Sequence, residues 1–328
     1  MKAIRVQAYG GADQLHLDDV PTPAPGPGEA LIRQAFAGIN FIDVYMRDGT
    51  YRRSDTYAQT PPMIIGMEGA GVVEAVGADV DGLAPGDAVA YCIDLGSYAE
   101  YAVVPAWKLV PVPDDVPMDV ATALQLQGAT AHYLSHSLFP LGPGHRCLIH
   151  AGAGGLGQLL IQIAKARGAE VFTTVGSPEK AAIAKARGAD HVILYRDVDF
   201  ADVVLDLTDG AGVNVVYDSV GKDTIRGSMA CCARLGVISN NGNASGAIGA
   251  LDPLELAEAG SIFFTRPHLA DYMLDADARR ARAADLFGLY RDNRLQVSLD
   301  RTYPLADARA AHERIEARQS MGKILLEI

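Results

Sequence analysis

The residues whose types and spacing can do chemistry begin at His150. His150-Ala151-Gly152-Ala153-Gly154-Gly155-Leu156-Gly157 follows the apolar run Cys147-Leu148-Ile149 and opens into a stretch, 158–167, whose apolar residues recur at helical spacing. Strand, glycine turn, helix is the order that binds a pyrophosphate: Gly152 makes the tight turn, Gly154 admits the phosphates to the backbone, and Gly157 lets the helix pack on the strand. Ala153, Gly155 and Leu156 complete the loop, and the free N–H groups of the helix start face an anion. Any glycine-rich loop between a strand and a helix satisfies this spacing, so it is the flanking periodicities that make it a dinucleotide site. The next strand, 170–175, ends at Gly176-Ser177 with no carboxylate, where an NAD site keeps an acid for the ribose. Ser177 and Lys180 suit a 2′-phosphate by hydrogen bond and charge. They serve equally as a helix N-cap ahead of Pro178 and a solvated lysine. Glu179 falls inside the helix start and is expected to point away, so the pattern favours NADPH over NADH.

A chain of 328 residues exceeds the size at which one core usually stays single, so two domains are expected. A net charge of −12 argues against nucleic acid or an anionic membrane as the main partner. The N-terminus lacks a signal-peptide pattern and no apolar stretch is long enough to cross a bilayer, which reads as a cytoplasmic protein. Cys92, Cys147, Cys231 and Cys232 have the spacing of neither a zinc site nor a disulfide framework. Cys231 and Cys232 are expected on one helix, pointing to different sides. His132 and His136 lie four apart on a helix, but no carboxylate or cysteine partner is in view, so surface or core roles are expected for them.

Residues 1 to about 120 read as short strands punctuated by Gly and Pro, a barrel-like β-rich unit. From about Asp119 helical periodicity begins, and strands then alternate with helices, the pattern of βαβ units on a parallel sheet. Candidate strands at 170–175, 191–194, 213–218, 235–239 and 261–265 follow the glycine loop. The remaining segments, a helix at 276–290, a strand at 297–303, a helix at 306–316 and a closing strand at 323–328, suggest that the chain returns to complete its first unit. The fold class is α/β, with a doubly wound parallel sheet beside a β-rich domain.

The chain resembles the zinc-independent medium-chain dehydrogenases/reductases, specifically NADPH:quinone oxidoreductases of the zeta-crystallin type. The residues that carry the likeness are 37–45 (Ala-Gly-Ile-Asn-Phe-Ile-Asp-Val-Tyr) with Arg47, Gly49 and Tyr51, then 66–71 (Gly-Met-Glu-Gly-Ala-Gly), the glycine loop, and 217–221 (Tyr-Asp-Ser-Val-Gly). Gly242-Asn243, Thr265-Arg266-Pro267, Tyr303-Pro304-Leu305 and Ala311-His312 complete it. The resemblance implies a GroES-like substrate domain split over 1–122 and 266–328, a Rossmann domain over 123–265, and NADPH with its substrate in the cleft between them. Zinc-dependent relatives place a Cys ahead of the Asp in the first motif and a His in Gly-His-Glu. Here Asn40 and Met67 stand nearby, neither a usual zinc ligand, so no metal is expected.

The resemblance further implies that Asn40, Tyr45 and Tyr51 lie beside the nicotinamide, with a tyrosine as candidate proton donor. Quinone reduction also proceeds with solvent as the acid, and Tyr51 beside Arg52 and Arg53 reads equally as a solvated loop. Cofactor contacts implied are Asn40, Asp43, Gln127, Thr130, Tyr195, Ser219, Asn241, Gly242, Asn243, Phe264, Thr265, Arg266 and Lys323. Asn241 stands where many relatives carry Phe, which implies a more polar nicotinamide pocket. The function expected is hydride transfer from NADPH to a quinone. The alternatives are reduction of a 2-alkenal or enoyl thioester, and, in another class, a structural NADPH-binding or RNA-binding protein. Homodimerisation through the Phe263 edge is implied by the likeness, while acidic balance speaks against nucleic acid.

Overall fold

The computed structural model describes residues 1–57 and 59–328. The chain forms two compact units, one of Met1–Ala129, Tyr272–Asn293 and Val297–Ile328, the other of Thr130–Asp271 with Arg294–Gln296. These divisions fall a few residues beyond 122/123 and 265/266. The reason on the N-terminal side is that Met118–Ala123 and the π-helical turn Leu124–Gly128 pack on strands of the first unit.

In the first unit the long strand Glu29–Ile39 is central. It pairs antiparallel with Glu68–Val76 and Tyr101–Pro105, and with the C-terminal strand Lys323–Glu327, whose register sets Ile324 opposite Ile39. That pairing is why the first unit is discontinuous in sequence. Leu299–Pro304 lies outside the C-terminal strand, and Ala88–Cys92 and Val110–Pro111 continue the sheet on the other side. Inward side chains alternate along these strands, and Ile32, Val73, Val89, Tyr91 and Val104 close a core of fully buried residues. Alternation of this kind leaves the opposite face of an antiparallel sheet for water.

The second unit is a six-stranded parallel sheet in the order His191–Leu194, Glu170–Val175, Arg146–His150, Val213–Asp218, Cys232–Asn240 and Phe263–Thr265. Its central strands read as nearly unbroken apolar runs because helices cover both faces. The strand order reverses between Arg146–His150 and Val213–Asp218, the switch point at which doubly wound sheets bind ligands. Leu148, Phe172, Val216 and Ile238 sit in the core. One expectation fails here: Cys231 caps the helix Ile225–Ala230 and Cys232 begins the next strand, so the pair does not share a helix. The strand starts early because Leu235, in a left-handed conformation, takes up a bulge within it. Among the described residues no helix is long and apolar enough to cross a membrane.

Candidate functional site

In the second unit the glycine loop leaves the buried strand Arg146–His150 and enters the helix Gly155–Ala166. A Cβ on Gly152 would lie 2.1 Å from Thr173 Oγ1, and one on Gly157 2.4 Å from the Ala151 carbonyl oxygen. Gly154 differs. Its backbone (φ −73°, ψ 167°) is one that any residue adopts, and the nearest atom to an added Cβ is the Ala151 oxygen at 3.3 Å. Two glycines are thus required by the fold, and Gly154 keeps space open at a helix N-terminus that no side chain caps. That is the geometry of a phosphate cradle. Ala153 is buried, and Gly155 and Leu156 are partly exposed at the rim.

Gly176 follows the strand Glu170–Val175, and a Cβ there would meet the hydroxyl of exposed Tyr195 at 2.9 Å. Ser177 caps the helix Pro178–Ala186, its side chain accepting from Lys180 N at 3.4 Å. Ser177, Lys180 and Tyr195 are therefore gathered at one strand end. Glu179 does not point away as expected: the Ser177 hydroxyl hydrogen-bonds its carboxylate and holds its pKa below the usual range. A short loop and a helix start leave the Glu179 side chain within reach of its own cap.

The loops after Val213–Asp218 and Cys232–Asn240 bring Ser219, Asn241, Gly242 and Asn243 together; a Cβ on Gly242 would lie 2.5 Å from the Ser219 carbonyl. Asn241 Oδ1 is buried without a hydrogen-bond partner among the described residues. Arg266 donates to the Asn240 carbonyl at 2.8 Å, beside half-buried Phe264 and Thr265. Thr130 is buried. A network that sequence reasoning missed supports this strand end. Asp218 accepts from Val220 N, Gly221 N, Thr224 Oγ1 and Ser228 Oγ at 2.8–2.9 Å. Ser228 Oγ lies 3.0 Å from His150 Nε2, and His150 Nδ1 lies 2.8 Å from Thr174 Oγ1. Burial pushes the His150 pKa down, so the ring is neutral beneath the loop. The only sequence signal was that His150 and Asp218 each end a strand.

In the first unit Asn40 opens the helix Phe41–Arg47. Its carboxamide donates to Glu68 Oε2 (2.8 Å) and to the Gly38 carbonyl (3.2 Å), and accepts from Lys323 Nζ (2.7 Å) and Gln127 Nε2 (3.3 Å). Asp43 is fully buried; its Oδ2 accepts from Asn40 N at 2.8 Å and from Tyr98 Oη at 3.0 Å. Tyr98 Oη lies 3.2 Å from His312 Nε2, and Arg47 donates to His312 Nδ1 at 3.0 Å and to both Glu316 oxygens. Arg47 is a donor only, which fixes the His312 tautomer with its proton on Nε2. Burial raises Asp43 to about 7 and, with Arg47, lowers His312 to about 3. Tyr45 and Tyr51 are brought together edge to face at 5.5 Å, and Tyr51 stacks on Tyr57 at 5.3 Å. Asp43 and Lys323, both expected at the cofactor, have side chains that are buried and bonded to the protein itself.

Neither Asn40 nor buried Met67 offers the thiolate, imidazole or carboxylate that zinc takes, and the carboxylates beside Asn40, Asp43 and Glu68, are bonded to protein donors. Among the described residues no three His, Cys, Asp or Glu side chains gather as a metal site.

Residues 26–114 match the family model described as "Alcohol dehydrogenase GroES-like domain", and residues 155–282 match "Zinc-binding dehydrogenase". The chain is 40% identical to the quinone oxidoreductase of Pseudomonas aeruginosa over 99% of both chains. It is 39% identical to the 2-haloacrylate reductase of a Burkholderia species, over 98% of this chain and 97% of that one. The crystal structure of Escherichia coli quinone oxidoreductase complexed with NADPH superposes with a TM-score of 0.96 at 35% identity, covering 100% of both chains. With full-length identity of this order and a TM-score of 0.96, this chain belongs to the quinone oxidoreductase family of the medium-chain dehydrogenases/reductases.

Proposed function

We propose that this protein is an NADPH-dependent quinone reductase that works without a metal. The observation that carries the reading is Gly154, whose space is left open at an uncapped helix start, in a chain alike over its whole length to quinone oxidoreductases. When bound, NADPH supplies the hydride. Gly152 and Gly157 hold the loop shape, Gly154 leaves room for the pyrophosphate, and the helix amides face its charge. Ser177, Lys180 and Tyr195 are the groups at the strand end suited to the 2′-phosphate, with Glu179 as the opposing charge there.

A quinone already accepts hydride well, so the protein has chiefly to orient it and to allow a proton to reach the reduced oxygen. The Asn40 carboxamide has all its bonding capacity taken by Gly38, Glu68, Lys323 and Gln127. It therefore acts in positioning, and the acid is a tyrosine of the Tyr45–Tyr51 pair or solvent. The near-equal identity to a 2-haloacrylate reductase supports activated alkenes as a second acceptor class. The test is NADPH oxidation with NADH beside it, against a benzoquinone, phenanthrenequinone and a 2-haloacrylate, with and without chelator. NADPH-preferring, chelator-resistant quinone reduction is expected; chelator-sensitive alcohol oxidation would overturn it. Lys180→Ala is expected to raise KM for NADPH about tenfold and leave NADH within about twofold, because only the 2′-phosphate loses a charge-assisted bond. Equal changes for both nucleotides would remove Lys180 from the phosphate site.

We also infer a homodimer built on the edge strand Phe263–Thr265, where Phe263, Leu254 and Leu235 are each more than 60% exposed. An uncovered apolar sheet edge favours pairing with a second copy. Sedimentation equilibrium giving the single-chain mass of 34.7 kDa would exclude it.

A further inference from the structure

Four segments far apart in sequence meet at one buried carboxylate in the first unit. Glu68, at the start of its strand, is fully buried. Its Oε2 accepts from Asn40 Nδ2 at 2.8 Å and from Lys323 Nζ at 2.5 Å, and its Oε1 accepts from Leu126 N at 2.5 Å. Leu126 lies in the π-helical turn Leu124–Gly128, whose wider winding frees backbone amides for such partners. Lys323 spends its other two protons on the Ile39 carbonyl (3.1 Å) and Asn40 Oδ1 (2.7 Å). Gly38 makes the room: a Cβ there would lie 2.0 Å from Glu68 Oε2 and 2.9 Å from Lys323 Cε.

Burying an ion pair is a poor way to gain stability, since apolar residues of equal volume do as well or better. What the pair does supply is orientation. An ammonium on its oxygen and a carboxylate on its amide nitrogen leave Asn40 a single rotamer sense, because flipping the amide would set like against like at both ends. Asn40 Oδ1 in turn receives Gln127 Nε2 (3.3 Å), which leaves Gln127 Oε1 as a buried acceptor with no partner among the described residues.

We propose that Glu68 and Lys323 are positioning residues for the reduction, locking Asn40 and, through it and the Leu126 amide, the turn that presents Gln127. The inference rests on the reductase reading above. Neither Glu68 nor Lys323 touches a reactant; both act through Asn40 and the turn.

The experiment is a double-mutant cycle of Lys323→Met and Asn40→Ala, read in NADPH-dependent quinone turnover, NADPH dissociation constant by nucleotide fluorescence, and thermal midpoint. Lys323→Met is expected to lower kcat about tenfold or more while KM for NADPH stays within about threefold, the sign of misplacement and not of lost affinity. If the lysine works through Asn40, the double variant is no slower than the slower single variant. Losses that multiply, or a Lys323→Met enzyme with the kcat of the parent, would overturn the proposal. Should Lys323→Met fail to fold, the uncharged pair Glu68→Gln with Lys323→Met enters the same cycle with the same criteria. A parent protein that reduces no quinone removes the functional reading instead, while an active parent with an unaffected cycle removes only the role of the pair.

Discussion

Gly154→Val is expected to weaken NADPH binding by about a hundredfold, roughly 3 kcal/mol, while leaving the apo protein folded. The two halves of that result come from one geometry. At φ −73°, ψ 167° the backbone of Gly154 is extended, so a branched residue meets no strain there. The nearest atom to its new Cβ is the Ala151 carbonyl oxygen at 3.3 Å, which has to give by only a few tenths of an ångström. What the valine methyl groups fill is the space over the first turn of Gly155–Ala166, where the pyrophosphate would approach the free amides. Gly157→Val is the contrast. Its Cβ would lie 2.4 Å from the Ala151 oxygen and 2.8 Å from Gly152 Cα, both backbone, so it is expected to lose the helix–strand packing as well as the nucleotide. Nucleotide fluorescence titration with circular dichroism on the same samples separates the two. A Gly154→Val protein that binds NADPH like the parent would mean that the phosphates do not lie over this turn.

The difference between these glycines marks how far the sequence could be read. The glycine loop, the strand-helix alternation after it and the return of the C-terminus are local patterns of period and turn chemistry, and they are legible because the physics that makes them is local. The order of strands is not local, yet alternation with helices restricts a parallel sheet to few arrangements. The Asn40 cluster is different in kind. Glu68 and Lys323 come to Asn40 because Glu68–Val76 and Lys323–Glu327 each pair with Glu29–Ile39 in one register, and Leu126 because its turn packs on that sheet; no spacing in the sequence encodes those registers. For the same reason Lys323, which family likeness assigned to the cofactor, is seen to give all three of its protons to protein oxygens. The break between Cys231 and Cys232 was lost because the strand begins at Cys232, three residues before the expected 235, and the Glu179 contact because the helix start fell where expected while the side-chain direction within its first turn is not set by the pattern.

The buried pair Asp43 and His312, joined by the Tyr98 hydroxyl, gives a second large effect, one visible only when its halves are separated. Desolvation raises Asp43 from 3.8 to about 7, so between those values the folded chain holds a proton that the unfolded chain has lost. Its contribution is fully present below pH 4 and is lost as pH rises through 7. Desolvation and the Arg47 charge lower His312 from 6.5 to about 3, so there the unfolded chain holds the extra proton. That contribution is present above pH 6.5 and is lost as pH falls toward 3. Across about pH 4.5 to 6.5 the two slopes, each about 1.4 kcal/mol per pH unit, oppose one another and nearly cancel. Asp43→Asn keeps the neutral state and removes one slope, so its stability is expected to fall as the pH is lowered through this window. His312→Gln, which still accepts from Arg47, removes the other, so its stability is expected to rise. Over two pH units the curves of the two variants should diverge by several kcal/mol. Trp107 is the only tryptophan of the chain and lies in the first unit, so urea unfolding followed by its fluorescence reports on the unit that holds the pair. Parallel curves for the two variants would show that neither group changes protonation on folding. Tyr98 would then be joining groups already matched to water, and burial would not be what sets the charge around Asn40.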